Sequence, residues 1–322
     1  MQEVCRMKPI LEIRHLSIYF TQYERGFRKR RLPAVRDLSL DVRPGKIVSV
    51  VGASGSGKSL LAHSILGVLP YNSHVEGEIL YDGVPLTEER LSGLRGSEIA
   101  LIPQSVACLD PLMKTGAQLR KGRKDQETRE RYRAALARYG LGEETEEMYP
   151  FELSGGMARR ILIAAAVAEP PRLIIADEPT PGLDARSAKR ILGHFRELAD
   201  EGAGILFITH DLELALSVAD ETVVFYAGET IEKAKVTDFA DPGGLRHPFT
   251  KALWHAMPEH GFTPAGGAQP YPGTVKSGCP YAGQCPKGRA DCRSTEEIPL
   301  RNFRGGMVRC LHPGDGEKEE LV

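Results

Sequence analysis

Leu11-Glu12-Ile13-Arg14-His15-Leu16-Ser17-Ile18 alternates apolar and polar positions, the period of a strand with one buried face. Phe20, Tyr23 and Phe27 follow in a polar, basic stretch that reads as a loop. Leu38 to Val42 predicts a second strand. Pro44-Gly45 then turns the chain into Lys46-Ile47-Val48-Ser49-Val50-Val51, a mostly apolar run of the kind buried on both faces. The spacing becomes helical from Leu60 to Leu69. Val75 to Asp82 predicts a strand ending at Asp82-Gly83, and Ile99 to Pro103 a short apolar strand running into Gln104. Gln126 to Tyr139 has helical spacing with Gly140 as its C-cap, and the alanine-rich helix Ala158 to Ala168 is stopped by Pro170-Pro171. Arg172 to Ala176 and Gly204 to Thr209 read as buried strands. Helices are expected from about Ala185 to Asp200 and, after the strand ending at Thr209, to Ala219.

Strands alternating with helices imply an α/β core, a mostly parallel sheet covered on both faces. The stretch of residues 110–168 reads as a helical subdomain inserted into that core. After about residue 235 Pro and Gly become frequent, which divides the chain into a domain of residues 1–240 and a C-terminal extension, 241–322. Asp315 to Glu320 reads as a charged, disordered tail.

Residues 52 to 59, Gly52-Ala53-Ser54-Gly55-Ser56-Gly57-Lys58-Ser59, fit G-x-x-x-x-G-K-S/T, with Leu60 opening the helix behind them. The glycines let successive backbone N–H groups turn inward as a nest for phosphate oxygens. Lys58 can reach β/γ-phosphates as a point charge, and the Ser59 hydroxyl can ligate Mg²⁺. The strand before and the helix after would place phosphate at a helix N-terminus, where the dipole favours an anion. A bare Gly/Ser-rich turn would require neither flank.

With 322 residues there is room for a full core and two domains, and 41% hydrophobic and 26% charged residues are the proportions of a soluble globular protein. A net charge of −1 gives no reason to expect nucleic acid as a partner. The basic cluster Arg25, Arg28, Lys29, Arg30 and Arg31 reads as a solvated loop that a membrane-proximal surface could also use. No stretch approaches the ~18 apolar residues of a membrane span, and Met1 to Pro9 has no apolar core, so neither a span nor a signal peptide is expected. That predicts a cytosolic chain whose membrane role, if any, runs through a partner subunit. Cys5 and Cys108 stand alone, whereas Cys279, Cys285, Cys292 and Cys310 cluster. In a reducing compartment such a cluster is a metal or iron–sulfur candidate before it is a disulfide framework.

Four further stretches narrow the nucleotide reading. Leu153-Ser154-Gly155-Gly156-Met157 opens a helix, Leu173 to Glu178 is an apolar strand ending in Asp177-Glu178, Pro181-Gly182-Leu183-Asp184 follows, and Thr209-His210-Asp211 ends the next core strand. Together with the phosphate loop and Gln104, this order resembles the ATP-binding subunits of ABC transporters: Walker A, Q-loop, signature, Walker B, D-loop and H-loop. The resemblance implies a P-loop, RecA-like fold with an added antiparallel β-subdomain, and an ATPase using ATP and Mg²⁺. Mg²⁺ prefers oxygen ligands, and Ser59 and the Gln104 amide oxygen are implied as direct ligands, with Asp177 acting mainly through water. Glu178 would polarise the attacking water, and His210 would contact the γ-phosphate and orient that water. Ser154, Gly155 and Gly156 would close on the γ-phosphate of an opposite subunit, with Asp184 crossing the interface, so a second ATPase subunit is implied. By position, Phe20 is chosen as the adenine platform, with Tyr19 and Tyr23 as alternatives. Met157, Ala158-Arg159-Arg160 and Gly182 depart from the commoner residues, but none of these changes removes a catalytic group.

His247-Pro248-Phe249-Thr250-Lys251-Ala252-Leu253 is similar to the His-Pro-(Tyr or Phe)-Thr-(Lys or Arg)-any-Leu motif of oligopeptide, dipeptide and nickel importer ATPases, and the cysteines downstream to that family's C-terminal module. The gaps between them, five, six and seventeen residues, contain no C-x-x-C and match a zinc ribbon poorly. The resemblance implies a 4Fe–4S cluster on Cys279, Cys285, Cys292 and Cys310, the alternatives being reduced thiols or opportunistic zinc. It also implies two transmembrane permease subunits, an extracytoplasmic binding protein acting indirectly, a place on the cytoplasmic face of the membrane, and a groove at Ser105 to Gln118 for a coupling helix. A non-transport ABC ATPase of DNA repair or translation is the weaker reading, because there is one cassette and no heptad run. A P-loop kinase or GTPase would have no need of the Leu-Ser-Gly-Gly segment or His210.

Overall fold

The computed structural model describes residues 8–23, 28–263, 267–275 and 277–314. Cys5, Arg25, Phe27 and the tail Asp315 to Glu320 lie outside the described residues. In chain order the first elements are β1 (Leu11–Tyr23), β2 (Lys29–Val42), β3 (Ile47–Gly52), α1 (Lys58–Ile65), β4 (Ser73–Tyr81), β5 (Val84–Pro85), α2 (Glu88–Leu94) and β6 (Ile99–Ile102). Next come α3 (Thr115–Leu119), α4 (Gln126–Arg138), α5 (Gly155–Val167), β7 (Leu173–Asp177), α6 (Ala185–Asp200), β8 (Gly204–Thr209) and α7 (Leu212–Val218). The chain continues with β9 (Glu221–Tyr226), β10 (Glu229–Lys235), α8 (Pro248–His255), α9 (Asp291–Ser294), β11 (Arg301–Phe303) and β12 (Gly306–Val308). These elements fall into two compact units.

One unit gathers residues 8–10, 42–47 and 87–208. Its strands β6, β7 and β8 run parallel in that order. Every residue of β7 and β8 is buried, as their unbroken apolar runs require. The apolar face of α6 carries Ile191, Phe195 and Leu198, and Phe195 meets Phe207 of β8 edge-on at 6.3 Å. In the helical part, Asp125 caps α4 by accepting from the Thr128 N–H at 2.8 Å, and Gly140 ends it in the left-handed conformation. The buried Glu146 carboxylate accepts from Arg120 and Arg133, each at 2.5 Å, and so ties α3 and α4 to the turn before α5.

The other unit gathers residues 11–41, 48–86 and the chain from Thr209 onward. Its strands lie in the order β5-β4-β1-β2-β10-β9-β3, with β12 also on β10 and β11 on β12. β1 and β4 are antiparallel, β2 and β10 parallel, β9 and β3 parallel. The antiparallel part and the parallel part therefore coexist, as expected for an α/β fold of the P-loop kind.

Several elements differ from their expected bounds. β1 runs on to Tyr23, so Phe20 and Tyr23 sit in a strand and not in a loop. Phe20 pairs with Ser73 of β4, and this non-local ladder outweighs the polar local composition. β2 begins at Lys29, nine residues ahead of the expected Leu38, for the same reason. α1 ends at Ile65, because Gly67 turns left-handed at φ 64°. α5 begins at Gly155 because Ser154 caps it, although two glycines make poor helix formers. The β11–β12 hairpin turns on Arg304 and Gly305, both at positive φ, and Val308 pairs with Glu232 of β10.

Candidate functional site

The phosphate loop leaves β3 and enters α1. Gly52 has no room for a side chain: a Cβ there would lie 2.2 Å from the Phe225 carbonyl oxygen of β9. Gly57, at φ 100°, caps α1 without a side-chain bond, so the first N–H groups of the helix stay open to an incoming anion. Ser54 and Gly55 are exposed on the loop, and the Ser56 hydroxyl is buried beneath it. Lys58 is buried, and its Nζ donates to the carbonyls of Gly52 at 2.7 Å and Ala53 at 2.9 Å, which folds the ammonium back over the nest. Ser59 and Leu60 continue the first turn of α1, both half-buried.

Asp177 ends β7 in a fully parallel register with Ile208, and Glu178 follows at φ 48° with its N–H donating to the Ile208 oxygen at 2.9 Å. A left-handed glutamate at a strand end is a strained, over-determined position. Both carboxylates are buried. Gln104 follows β6 with its side chain exposed. Ser154 caps α5, accepting from the Met157 N–H at 3.2 Å, while Gly155 stands exposed and Gly156 partly exposed in the first turn. Asp184 caps α6, accepting from the Ser187 N–H at 2.9 Å and hydroxyl at 2.7 Å, and these bonds hold its carboxyl below the usual range. That capping duty was not read from the sequence. His210 is exposed in the turn from β8 to α7, ahead of Asp211, which caps α7 through the Leu214 N–H at 3.0 Å. Phe20 is half-buried, Tyr19 beside it faces the opposite side of β1, and Tyr23 is exposed with the Lys29 ammonium 5.6 Å from its ring.

In the C-terminal residues the His-Pro-Phe motif does structural work. The Nδ1 of His247 caps α8 by accepting from the Phe249 N–H at 3.0 Å, and Pro248 takes the first helical position. Phe249 packs on Tyr226 at 4.3 Å and edge-on to Tyr281 at 5.3 Å. Full burial pushes the His247 imidazole down to about 3, so it is neutral. The Cys279 thiol lies 3.8 Å from its Nε2. Cys292 and Cys310 are buried, Cys279 and Cys285 half-buried, and none is in a disulfide. Burial pushes Cys279 up to about 12 and raises Cys285 and Cys310, and neighbouring thiols of the set push in the same direction. Among the described residues, the ligand atoms of Asp291, Cys292 and His312 also gather within 4.8 Å of one another.

A family model described as ABC transporter matches residues 35–181, and one described as oligopeptide/dipeptide transporter, C-terminal region, matches residues 231–292. The chain is 32% identical to the oligopeptide transport ATP-binding protein AppD of Bacillus subtilis, over 97% of this chain and 100% of AppD. The chain belongs to the oligopeptide/dipeptide family of ABC transporter ATP-binding subunits. This subunit is also 34% identical to the dipeptide transport ATP-binding protein DppD of the same organism, over 89% of each chain. The bacterial ABC transporter cassette MJ0796, solved as a dimer, is 26% identical, with a TM-score of 0.62 over 70% of this chain and 98% of that one. The same cassette has been solved in a post-hydrolysis state bound to ADP and Pi. The ABC subunit described here is accordingly an ATP-hydrolysing importer subunit. Among its described residues no helix is long and apolar enough to cross a membrane.

For one residue of this ABC subunit, noted in the sequence only as a departure from the commoner pattern, the structure supplies a role. Arg159, two positions past Met157, is buried and donates to the Pro103 carbonyl at 2.7 Å and to that of Gln104. Burial lowers its guanidinium, and the nearby Asp177 and Glu178 pull it back up. It thereby pins the backbone that carries Gln104 to the helix that carries the signature. The available signal was the arginine pair Arg159-Arg160 at the head of an apolar, alanine-rich run. Arg159→Met removes the donors of two carbonyls and is expected to cost about 1–3 kcal/mol, measured by chemical unfolding. A loss below a few tenths would show that solvent replaces the guanidinium.

Proposed function

We propose that the chain drives import of oligopeptides or dipeptides from the cytoplasmic face of the membrane, coupled to two transmembrane permease subunits and, through them, to an extracytoplasmic binding protein. One observation carries this reading: the ABC nucleotide motifs stand in one chain with a C-terminal region matching that of oligopeptide and dipeptide transporters. The relatives named for peptide transport favour peptides over the nickel chelates that the motif alone allowed. Leu112 and Met113, exposed between β6 and α3, supply apolar side chains for a coupling helix in the stretch Ser105 to Gln118. A second cassette, identical or different, is expected as partner, as in the dimeric MJ0796.

Each nucleotide role follows from the chemistry of the group. Gly52, Ser54, Gly55, Ser56 and Gly57 cradle phosphate oxygens with backbone N–H groups, and Lys58 neutralises β/γ charge. Ser59 and the Gln104 amide oxygen directly, and Asp177 mainly through water, would hold Mg²⁺, a hard cation that would neutralise triphosphate charge. Glu178 accepts a proton from water attacking the γ-phosphorus, and His210 orients that water. Ser154, Gly155 and Gly156 present a second nest to the partner's nucleotide, and Asp184 lies in the loop that follows Walker B. Phe20 stacks on adenine. Reconstitution with the permeases tests the reading. Peptide should accelerate ATP hydrolysis and be taken up. A preparation that binds DNA or ribosomes and shows no peptide-dependent uptake would sink it.

The four clustered thiols suit a 4Fe–4S cluster. Burial raises the Cys279, Cys285 and Cys310 thiols and so keeps them protonated unless a metal replaces the protons, and repulsion between neighbouring thiolates also calls for a cation. Cys279, Cys285, Cys292 and Cys310 would hold it, in a structural or regulatory role separate from hydrolysis. Protein purified without oxygen is expected to be brown, with about four irons and four sulfides per chain. Colourless protein carrying one zinc would defeat the assignment.

A further inference from the structure

The C-terminal residues carry an unassigned cavity of about 350 Å³ beside α8. That size is within the range of small-molecule sites. Lys251, Ala252 and His255 reach it from one face of α8, at helical spacing from Pro248. Tyr281, Lys287 and His312 line it from the cysteine-bearing loops. Among the described residues, no acidic side chain stands in its lining. The cations there are not equivalent. The Arg246 guanidinium at the cavity wall is already neutralised by Glu232 at 3.3 Å and Asp238 at 2.9 Å, and His312 bonds to Asp291 at 2.6 Å. Lys251 and Lys287 have no ion pair among the described residues. Two ammoniums with no carboxylate partner among the described residues therefore flank a space whose apolar wall is the Tyr281 ring, Pro248, Pro286 and Ala252, the rest being Arg246, His255, Thr263, His312 and Gly314.

We propose that this cavity binds a small organic carboxylate with an apolar or aromatic body, its carboxylate between Lys251 and Lys287 and its body against Tyr281. The apolar walls exclude a bare inorganic anion as the preferred occupant, because such an ion would leave them wet and gain nothing from them. The two lysines reject an uncharged molecule of the same shape, because they gain only from the charge. The proposal stands apart from the transport reading, since it uses no nucleotide residue and none of the four cysteines.

The test is calorimetric titration of the full chain, as purified, with 3-phenylpropanoate, with 3-phenylpropan-1-ol and with inorganic phosphate. Trp254, the one tryptophan of the chain and the neighbour of His255 on α8, gives an independent fluorescence readout. Saturable binding of the acid is expected. Substituting both lysines, Lys251→Gln with Lys287→Gln, should weaken it at least about tenfold, the size of one 1.4 kcal/mol step. Lys287 is exposed and Lys251 half-buried, and neither belongs to the nucleotide site, so the variant should fold and hydrolyse ATP normally. Equal affinity for acid and alcohol, displacement of the acid by equimolar phosphate, or unchanged affinity in the double variant would each overturn the proposal.

Discussion

Glu178→Gln is expected to lower ATP turnover by at least about a hundredfold, the span of a positioned general base being roughly 10²–10⁴. The physical reason is specific to this position. The strand β7 delivers Glu178 out of a fully buried register, and the Ile208 carbonyl holds its N–H. Its φ of 48° is a conformation that ordinary residues avoid. The side chain's direction is thus set by the backbone before any substrate arrives. Glutamine has the same shape and can keep the same contacts, but its amide cannot accept the proton of an attacking water. ATP binding should therefore survive, and the variant should accumulate as an ATP-bound dimer, seen as a shift in size-exclusion volume on adding ATP. Turnover within a few-fold of the native chain would remove Glu178 from the chemistry and leave its strained backbone without a catalytic explanation.

Glu232→Ala is the change expected to cost most stability outside the nucleotide site. The Glu232 carboxylate is fully buried on β10, and it accepts from the backbone N–H groups of Arg246 and His247 at 2.8 Å each and from the Arg246 guanidinium at 3.3 Å. Burial raises its carboxyl, and the N–H groups of His247 and Arg246 work against that rise. Removing it leaves two backbone donors and a buried guanidinium short of an acceptor. Breaking a buried pair in this way costs about 3–5 kcal/mol. Thermal and denaturant unfolding should both register the loss. Part of it should return in the double variant Glu232→Met with Arg246→Met, where no charge is stranded. Asp238, which also pairs with Arg246, limits the rescue and can be tested alongside. A loss under about 1 kcal/mol would mean that Asp238 and the Phe303 and Arg304 carbonyls already satisfy the arginine.

The motifs on which the proposed nucleotide site rests were legible because their signals are local. Gly52 to Ser59, Ser154 to Gly156, Asp177-Glu178 and Thr209-His210 are short runs whose chemistry depends on neighbours in the chain. α6 and β8 matched their expected spans because periodicity and capping are short-range properties. Phe20 was correctly placed beside the first strand, but its stretch was read as a loop. The pairing of Phe20 with Ser73 joins residues far apart in sequence, which no local pattern encodes. The role of Arg159 stayed hidden for the same reason: its partners, the carbonyls of Pro103 and Gln104, lie more than fifty positions away.

By itself the sequence determined the phosphate loop, the order of the ABC motifs, the alternation of strand and helix, and the cluster of four cysteines. These depend on residue type and spacing along one chain. The tertiary structure alone decided that His247 is a neutral buried cap beside Cys279 and that Glu232 anchors the entry to α8. It also placed Lys251 and Lys287 around one cavity. Burial and partnership set those roles. Both come from contacts between distant segments, and side-chain type by itself leaves them open.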